Sequence, residues 1–175
     1  MGLLSDTIWK RSVTKPLPIY AWDATVFLAW LGAPVPAQFD KSGLDAVALE
    51  IANGGAKLVT STMAYLEVLK GKHTPEQIDV FERFMKRTNV VALDIHMGVI
   101  RKAETIRTSS LLLKPMRCIK SPDSIFAASA MLLKADALHS LDSDLLNLNG
   151  MDVVDKLKIV LPMPRSGQPV MAEKS

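Results

Sequence analysis

The feature that most narrows what this chain can fold into is an alternation. Short apolar runs of strand length are separated by stretches with helical spacing, from residue 19 to residue 161. Ile19–Trp22, Lys57–Thr60, Val90–Leu93, Ala137–Leu141 and Lys158–Leu161 read as strands. Ala24–Leu31, Ser42–Asn53, Ser61 to about Leu69, Thr74 to about Lys86, Ile95 to about Thr108 and Ser121 to about Lys134 read as helices. A helix between successive strands makes each connection a crossover, so the strands should run parallel. The strand runs lack a clean apolar–polar alternation, as expected where both faces are covered. The predicted fold class is α/β, a three-layer α/β/α sandwich around a mainly parallel, roughly five-stranded sheet. In such folds ligands bind beyond the carboxyl ends of the strands, where strand order reverses.

Local signals punctuate the pattern. Thr74-Pro75-Glu76-Gln77 combines a cap, a first-turn proline and a capping-box glutamine. Gly54 and Gly55 stop the second helix. Ser61, Asp94 and Ser121 are expected as the caps of the helices that follow them. Residues 1–17 read as an N-terminal arm, 18–163 as the folded domain, and 164–175 as a frayed tail rich in Pro, Gly, Ser and charge.

Composition removes several classes. A hydrophobic fraction of 49% is incompatible with disorder over most of the chain. No apolar run reaches the roughly 18 residues that span a bilayer. Met1–Arg11 has its basic residues after the apolar stretch, the reverse of a secretory signal, so a cytoplasmic protein is expected. The single cysteine, Cys118, forms no internal disulfide and supports no cysteine zinc site. Net charge is +3 and says little alone. Its distribution says more: Arg101, Lys102, Arg107, Lys114, Arg117 and Lys120 stand against Glu104. That excess suits either phosphate attraction or a solvated helix face.

Four carboxylates fall where the fold would place a site. Asp23 follows the first strand, Glu67 lies on the helix after the second, Asp123 opens a helix, and Asp142 follows the fourth strand. Each also has a plain structural role open to it: a helix cap for Asp23, a first-turn acid for Asp123, a turn residue for Asp142, a solvated position for Glu67. Their surroundings argue for more. Glu67 is set among Met63, Ala64, Leu66, Val68 and Leu69, and Asp23 is followed by Ala24-Thr25-Val26-Phe27. Burying several like charges is unfavourable without a compensating cation. An oxygen-only ligand set suits Mg²⁺ or Mn²⁺. His73, His96 and His139 are scattered and form no ligand cluster in sequence.

At these residues the chain resembles the PIN-domain family, most closely its VapC-type toxin ribonucleases, over about residues 18–162. Ile19-Tyr20-Ala21-Trp22-Asp23-Ala24-Thr25 is similar to the family's opening strand and Asp-x-Ser/Thr turn. Val59-Thr60-Ser61-Thr62 through Glu67 is similar to its strand, hydroxyl cap and Glu helix. Ser121-Pro122-Asp123-Ser124-Ile125-Phe126-Ala127-Ala128 resembles its third-acid helix, with Ser124 in place of the usual alanine. Leu138-His139-Ser140-Leu141-Asp142 resembles its last segment, with Ser140 where threonine is usual. The arm is longer than compact toxins carry.

The resemblance implies a metal-dependent endoribonuclease, with Asp23 and Asp123 as direct ligands and Glu67 and Asp142 completing the site. It also implies Thr25 and Ser140 as supporting hydroxyls, an RNA substrate, a small antitoxin partner and a second copy of the chain. Lys70, Lys72 and Arg101 are candidate phosphate contacts. The alternative reading is a catalytically silent PIN-like module that binds RNA or protein. A haloacid-type phosphatase is disfavoured because Thr25 stands where its second aspartate belongs. A nucleotide-cofactor enzyme is disfavoured because no glycine-rich loop follows the first strand.

Overall fold

Parallel pairing is what the helical crossovers require, and every strand pair obeys it. The computed structural model describes residues 16–36, 39–112 and 118–164. The five strands are β1 (Ile19–Trp22), β2 (Lys57–Ser61), β3 (Val90–Leu93), β4 (Ala137–His139) and β5 (Lys158–Val160). They form one sheet in the order β3-β2-β1-β4-β5. In register, Ala21 lies against Val59 on one side and Leu138 on the other, and Trp22 against His139. The chain steps outward from β1 through β2 to β3, then returns across the centre to β4. Strand order therefore reverses between β1 and β4, and the crevice beyond their carboxyl ends is the expected site.

Side-chain alternation along the strands splits the core in two. Tyr20, Trp22, Leu58 and Val90 face a layer built chiefly from α1 (Ala24–Trp30), α2 (Lys41–Ala52), α3 (Met63–Leu69) and α4 (Pro75–Met85). Ala21, Val59, Leu138 and Ile159 face α5 (Met97–Ser110), α6 (Ser121–Leu132), the one-turn α7 (Ser143–Leu146) and a 3-10 turn at Asp152–Val154. The result is the α/β/α sandwich expected from the sequence. Trp22 is fully buried, stacked on Phe84 at 5.8 Å and edge-on to Phe27 at 5.2 Å. That aromatic cluster anchors the residue immediately before Asp23. After β5 the chain passes close to α2: a Cβ at Gly43 would lie 2.5 Å from the Pro162 carbonyl oxygen, so only glycine admits that approach. Among the described residues no helix is long and apolar enough to cross a membrane.

Several boundaries differ from the sequence reading, each for a local reason. α5 is capped by His96, whose side chain accepts from Gly98 N at 3.1 Å, and not by Asp94; residues 94–96 stay irregular and the helix starts at Met97. α6 begins at Ser121, with Lys120 in the capping position, so Ser121 is helical rather than the cap. The helix also stops at Leu132 rather than near Lys134, because Lys134 takes a left-handed backbone (φ 54°) and ends it. The cap position of α3 is Thr62, although Ser61 Oγ accepts from Met63 N at 3.2 Å. β4 ends at His139 instead of Leu141, because its partner β5 offers only three residues to pair. The one-turn α7 and the 3-10 turn have no counterpart in the sequence reading. The arm as far as residue 15, the tail from residue 165, and Lys114 and Arg117 lie outside the described residues.

The capping box at Thr74 forms as read: Thr74 Oγ1 accepts from Gln77 N, and Gln77 Oε1 accepts from Thr74 N at 2.8 Å. Gln77 Nε2 also donates to the Leu31 carbonyl, tying α4 to the end of α1. Thr74→Ala should therefore cost about 1 kcal/mol, read as a lower urea midpoint at unchanged slope.

Candidate active site

The crevice between β1 and β4 is lined by polar groups that their elements deliver in fixed positions. Asp23 is the first residue past β1, and its backbone N–H donates to the His139 carbonyl at 3.3 Å, which holds it against β4. It is 2% exposed. Its carboxylate is held on both oxygens. Thr25 Oγ1 donates to Oδ1 at 2.7 Å, Val26 N–H donates to the same atom at 3.1 Å, and Ser140 Oγ donates to Oδ2 at 2.6 Å. Asp23 thus caps α1 while lying beyond the end of β1, beside β4, so capping does not remove it from the candidate site. Thr25 Oγ1 in turn accepts from Leu141 N at 2.9 Å, and Ser140 Oγ accepts from Asp142 N at 2.9 Å. Two hydroxyls therefore bind Asp23 to the segment after β4, across a separation of 117 residues.

Asp142 caps α7, its Oδ1 accepting from Asp144 N at 2.7 Å. Asp123 projects from the first turn of α6. The residue is half-buried, yet its Oδ2 atom is buried and has no hydrogen-bond partner. A buried acceptor without a donor costs about 1–3 kcal/mol, which a cation would recover.

The electrostatics carry the same message. Burial pushes the Asp23 carboxyl up to about 6; hydrogen bonds from Ser140, Thr25 and Val26 pull it down, and the Asp142 charge adds a smaller upward push. Asp123 is also pushed up to about 6, first by burial and then by Asp142; Lys120 lowers it, and Asp23 and Asp144 raise it further. Asp23, Asp123, Asp142 and Asp144 thus share one field, and mutual repulsion is part of it.

Glu67 behaves differently. It is half-buried on α3 and forms an ion pair with Lys70 at 2.9 Å. It is not among the groups that most move Asp23 or Asp123. Among the described residues no three Asp, Glu, His or Cys side chains come close enough to hold an ion together. Field and ligation have different ranges: charges act over several ångströms, whereas Mg²⁺ contacts oxygen at about 2.0–2.1 Å. The acids are gathered but not closed onto one point.

The candidate phosphate contacts divide as well. Lys70 is engaged with Glu67, Lys72 is exposed just beyond α3, and Arg101 is exposed on α5. Lys120, which caps α6, is the basic residue whose charge reaches Asp123. It was legible only as one member of the basic stretch 101–120. The i,i+3 spacing of Glu67 and Lys70 was the available sign of their pairing. His139 is 1% exposed and stacked on Tyr20 at 4.9 Å; burial pushes it down to about 4, so it is neutral.

Ser140→Ala tests the clamp. The hydroxyl favours the charged form of Asp23, so its removal raises that carboxyl further above 6. The acid limb of any pH–activity profile should move to higher pH, with activity at pH 7 down by about tenfold. An unmoved acid limb would show that Ser140 does not tune Asp23.

The sequence profile of the PIN domain matches residues 20–150. No curated protein sequence matches the chain. Among solved structures, VapBC2 from Rickettsia felis bound to a DNA fragment from its promoter superposes with a TM-score of 0.54 at 16% identity, covering 81% of this chain and 96% of that one. FitAB bound to an IR36 DNA fragment superposes with a TM-score of 0.51 at 16% identity, covering 82% of this chain and 94% of that one. At that identity the likeness is one of fold.

Proposed function

Because the chain belongs to the PIN-domain family, we propose that it is a metal-dependent endoribonuclease that hydrolyses RNA phosphodiester bonds as the toxin of a toxin–antitoxin pair. The observation that carries the reading is the unpartnered, buried Asp123 Oδ2, facing the same field as Asp23 and Asp142. Carboxylate oxygens without nitrogen or sulfur donors fit a hard divalent ion. Asp23 and Asp123 would hold Mg²⁺ or Mn²⁺, with Asp142 and Glu67 completing the set directly or through water. Bound there, such an ion supplies an acidified water and neutralises charge developing on the scissile phosphate.

The rest of the chemistry belongs to the chain. Thr25 and Ser140 donate to Asp23 and keep it ionised and correctly turned near neutral pH. Lys120, beside Asp123, draws the phosphodiester backbone toward the crevice. The crevice at the sheet end suits single-stranded or looped RNA, whose backbone can be splayed. The VapBC2 and FitAB likenesses support a small antitoxin as a partner. The reading also has the antitoxin cover this crevice and includes a second copy of the chain.

A cleavage assay on single-stranded RNA with Mn²⁺, repeated after chelation and after adding Mn²⁺ back, tests the activity. Turnover that survives chelation would remove the metal from the mechanism. One specific observation favours a second reading, a silent RNA- or protein-binding module: among the described residues no three acids close on one point, and Glu67 is tied to Lys70. Mn²⁺ that neither raises the melting temperature nor supports cleavage would select it.

A further inference from the structure

A cavity of about 750 Å³ opens at the β4–β5 edge of the sheet, lined by Tyr20, Ala137 and Val160 from the α1–α4 side and by Met131 of α6, Val154 and Leu157 from the other. The size is that of a single ligand site rather than a packing defect. Its wall combines three chemistries. Lys134, Lys156 and Lys158 contribute three positive charges against the two of Asp136 and Asp155. None of these lysines is in an ion pair with a described residue. Met131, Leu157, Val160 and Met163 supply apolar surface.

The third element is the stacked pair Tyr20 and His139, both of which line the cavity. His139 is 1% exposed and its Nδ1 has no hydrogen-bond partner. A buried ring nitrogen left unpaired is uncommon and wants an explanation. Backbone conformation marks the same place. The described non-glycine residues with positive φ are Lys134 (54°) and Asp155 (50°), and both line this cavity. Glycine would adopt either conformation at lower cost, yet charged side chains occupy both.

We propose that this cavity binds a nucleoside 5′-phosphate, with the lysines on the phosphate and the apolar, aromatic wall against the base. An excess of lysine selects an anion. A bare phosphate leaves the apolar wall unused, whereas a base presents a flat face to it. Asp155 is free to accept from a sugar hydroxyl or an exocyclic amine, while Asp136 Oδ2 already accepts from Ile19 N at 2.8 Å. The inference does not rest on the nuclease reading: none of Asp23, Asp123 and Asp142 lines the cavity.

A nucleoside phosphate reaches the site either as a free nucleotide or as the phosphorylated end of an RNA. Equilibrium dialysis of the full chain against AMP, GMP, CMP and UMP, and against 5′-phosphorylated and 5′-hydroxyl tetranucleotides, separates the two. Saturable binding of a mononucleotide assigns the free ligand; binding confined to the 5′-phosphorylated tetranucleotide assigns the RNA end. In either case the double variant Lys156→Glu, Lys158→Glu should weaken binding by at least about tenfold. Both side chains are exposed, so its melting temperature should not change. Asp23→Asn should bind as the parent does, which keeps a failure here distinct from a failure of the catalytic reading. No saturable binding at millimolar ligand would overturn the proposal. So would binding indifferent to the charge reversals, or displacement by inorganic phosphate at equal concentration.

Discussion

Asp23→Asn should abolish RNA cleavage and at the same time raise the melting temperature at pH 7.5. The first effect follows from losing a charged ligand and its two-hydroxyl clamp, and a fall of roughly 10²–10⁴-fold is expected. The second follows from the sign of the Asp23 shift. Its carboxyl is held near 6 in the folded chain, against the ordinary 3.8 of a solvated aspartate. Below pH 3.8 it is protonated in both states and imposes no penalty. As pH rises from there to 6, the folded state retains the proton longer than the unfolded one, so stability is lost across that window.

Above it, the buried charge costs about 3 kcal/mol as an upper figure. Asparagine carries no charge to bury. It forfeits part of the gain, because Ser140 Oγ donates to Asp23 Oδ2 and also accepts from Asp142 N. A net rise of about 1–2 kcal/mol, or roughly 2–8 °C, remains. The advantage of the variant should shrink as pH falls below 6 and change sign before pH 4, where the forfeited hydrogen bonding is no longer offset by a buried charge. His139 titrates in the opposite sense: its depressed value means stability is lost as pH falls through about 4 from the ordinary 6.5. It is common to both proteins and cancels in the comparison. A variant that cuts RNA at the parental rate would remove Asp23 from the active site.

The second large effect is on metal affinity. Asp23 and Asp123 each hold a proton up to about pH 6. A divalent ion must displace both protons at acid pH. At pH 5 each group is ionised about one part in ten, and the pair about one part in a hundred. Apparent Mn²⁺ affinity should therefore fall about 100-fold between pH 7.5 and pH 5. Thermal shift at graded Mn²⁺ reads this directly, since the ion stabilises the folded chain in proportion to its binding. Superimposable titrations at the two pH values would mean that the ion sits elsewhere. Asp142→Asn should weaken the pH dependence, because Asp142 raises both carboxyls.

How much of this was legible in the sequence depends on the reach of each interaction. The sheet was legible, because apolar runs and crossover helices are local patterns with a topological consequence. Asp23, Thr25 and Ser140 were legible as a set only through the family resemblance, because short polar residues past a strand also serve as caps and turn residues. Their hydrogen bonds span the strand order, and no local pattern states which hydroxyl serves which oxygen. The end of β4 was not legible, because a strand is only as long as its partner allows. Nor was the cap of α5: Asp94 and His96 are both able caps, and the choice falls to where the chain leaves β3. Glu67 was weighed on its apolar surroundings, and the lysine three residues on, with which it pairs, went unweighed.

The clamp between Asp23 and Ser140 has a consequence for how the protein is made. Its two halves lie 117 residues apart, and β4 must dock beside β1 before they meet. A nascent chain still being threaded out of the ribosome holds Asp23 long before it holds Ser140 or Asp142. It is surrounded by RNA throughout that interval, and under the proposed activity it would be harmless until Ser140 and Asp142 had emerged and β4 had docked. Late closure of a long-range contact thus acts as a delay on the scissors.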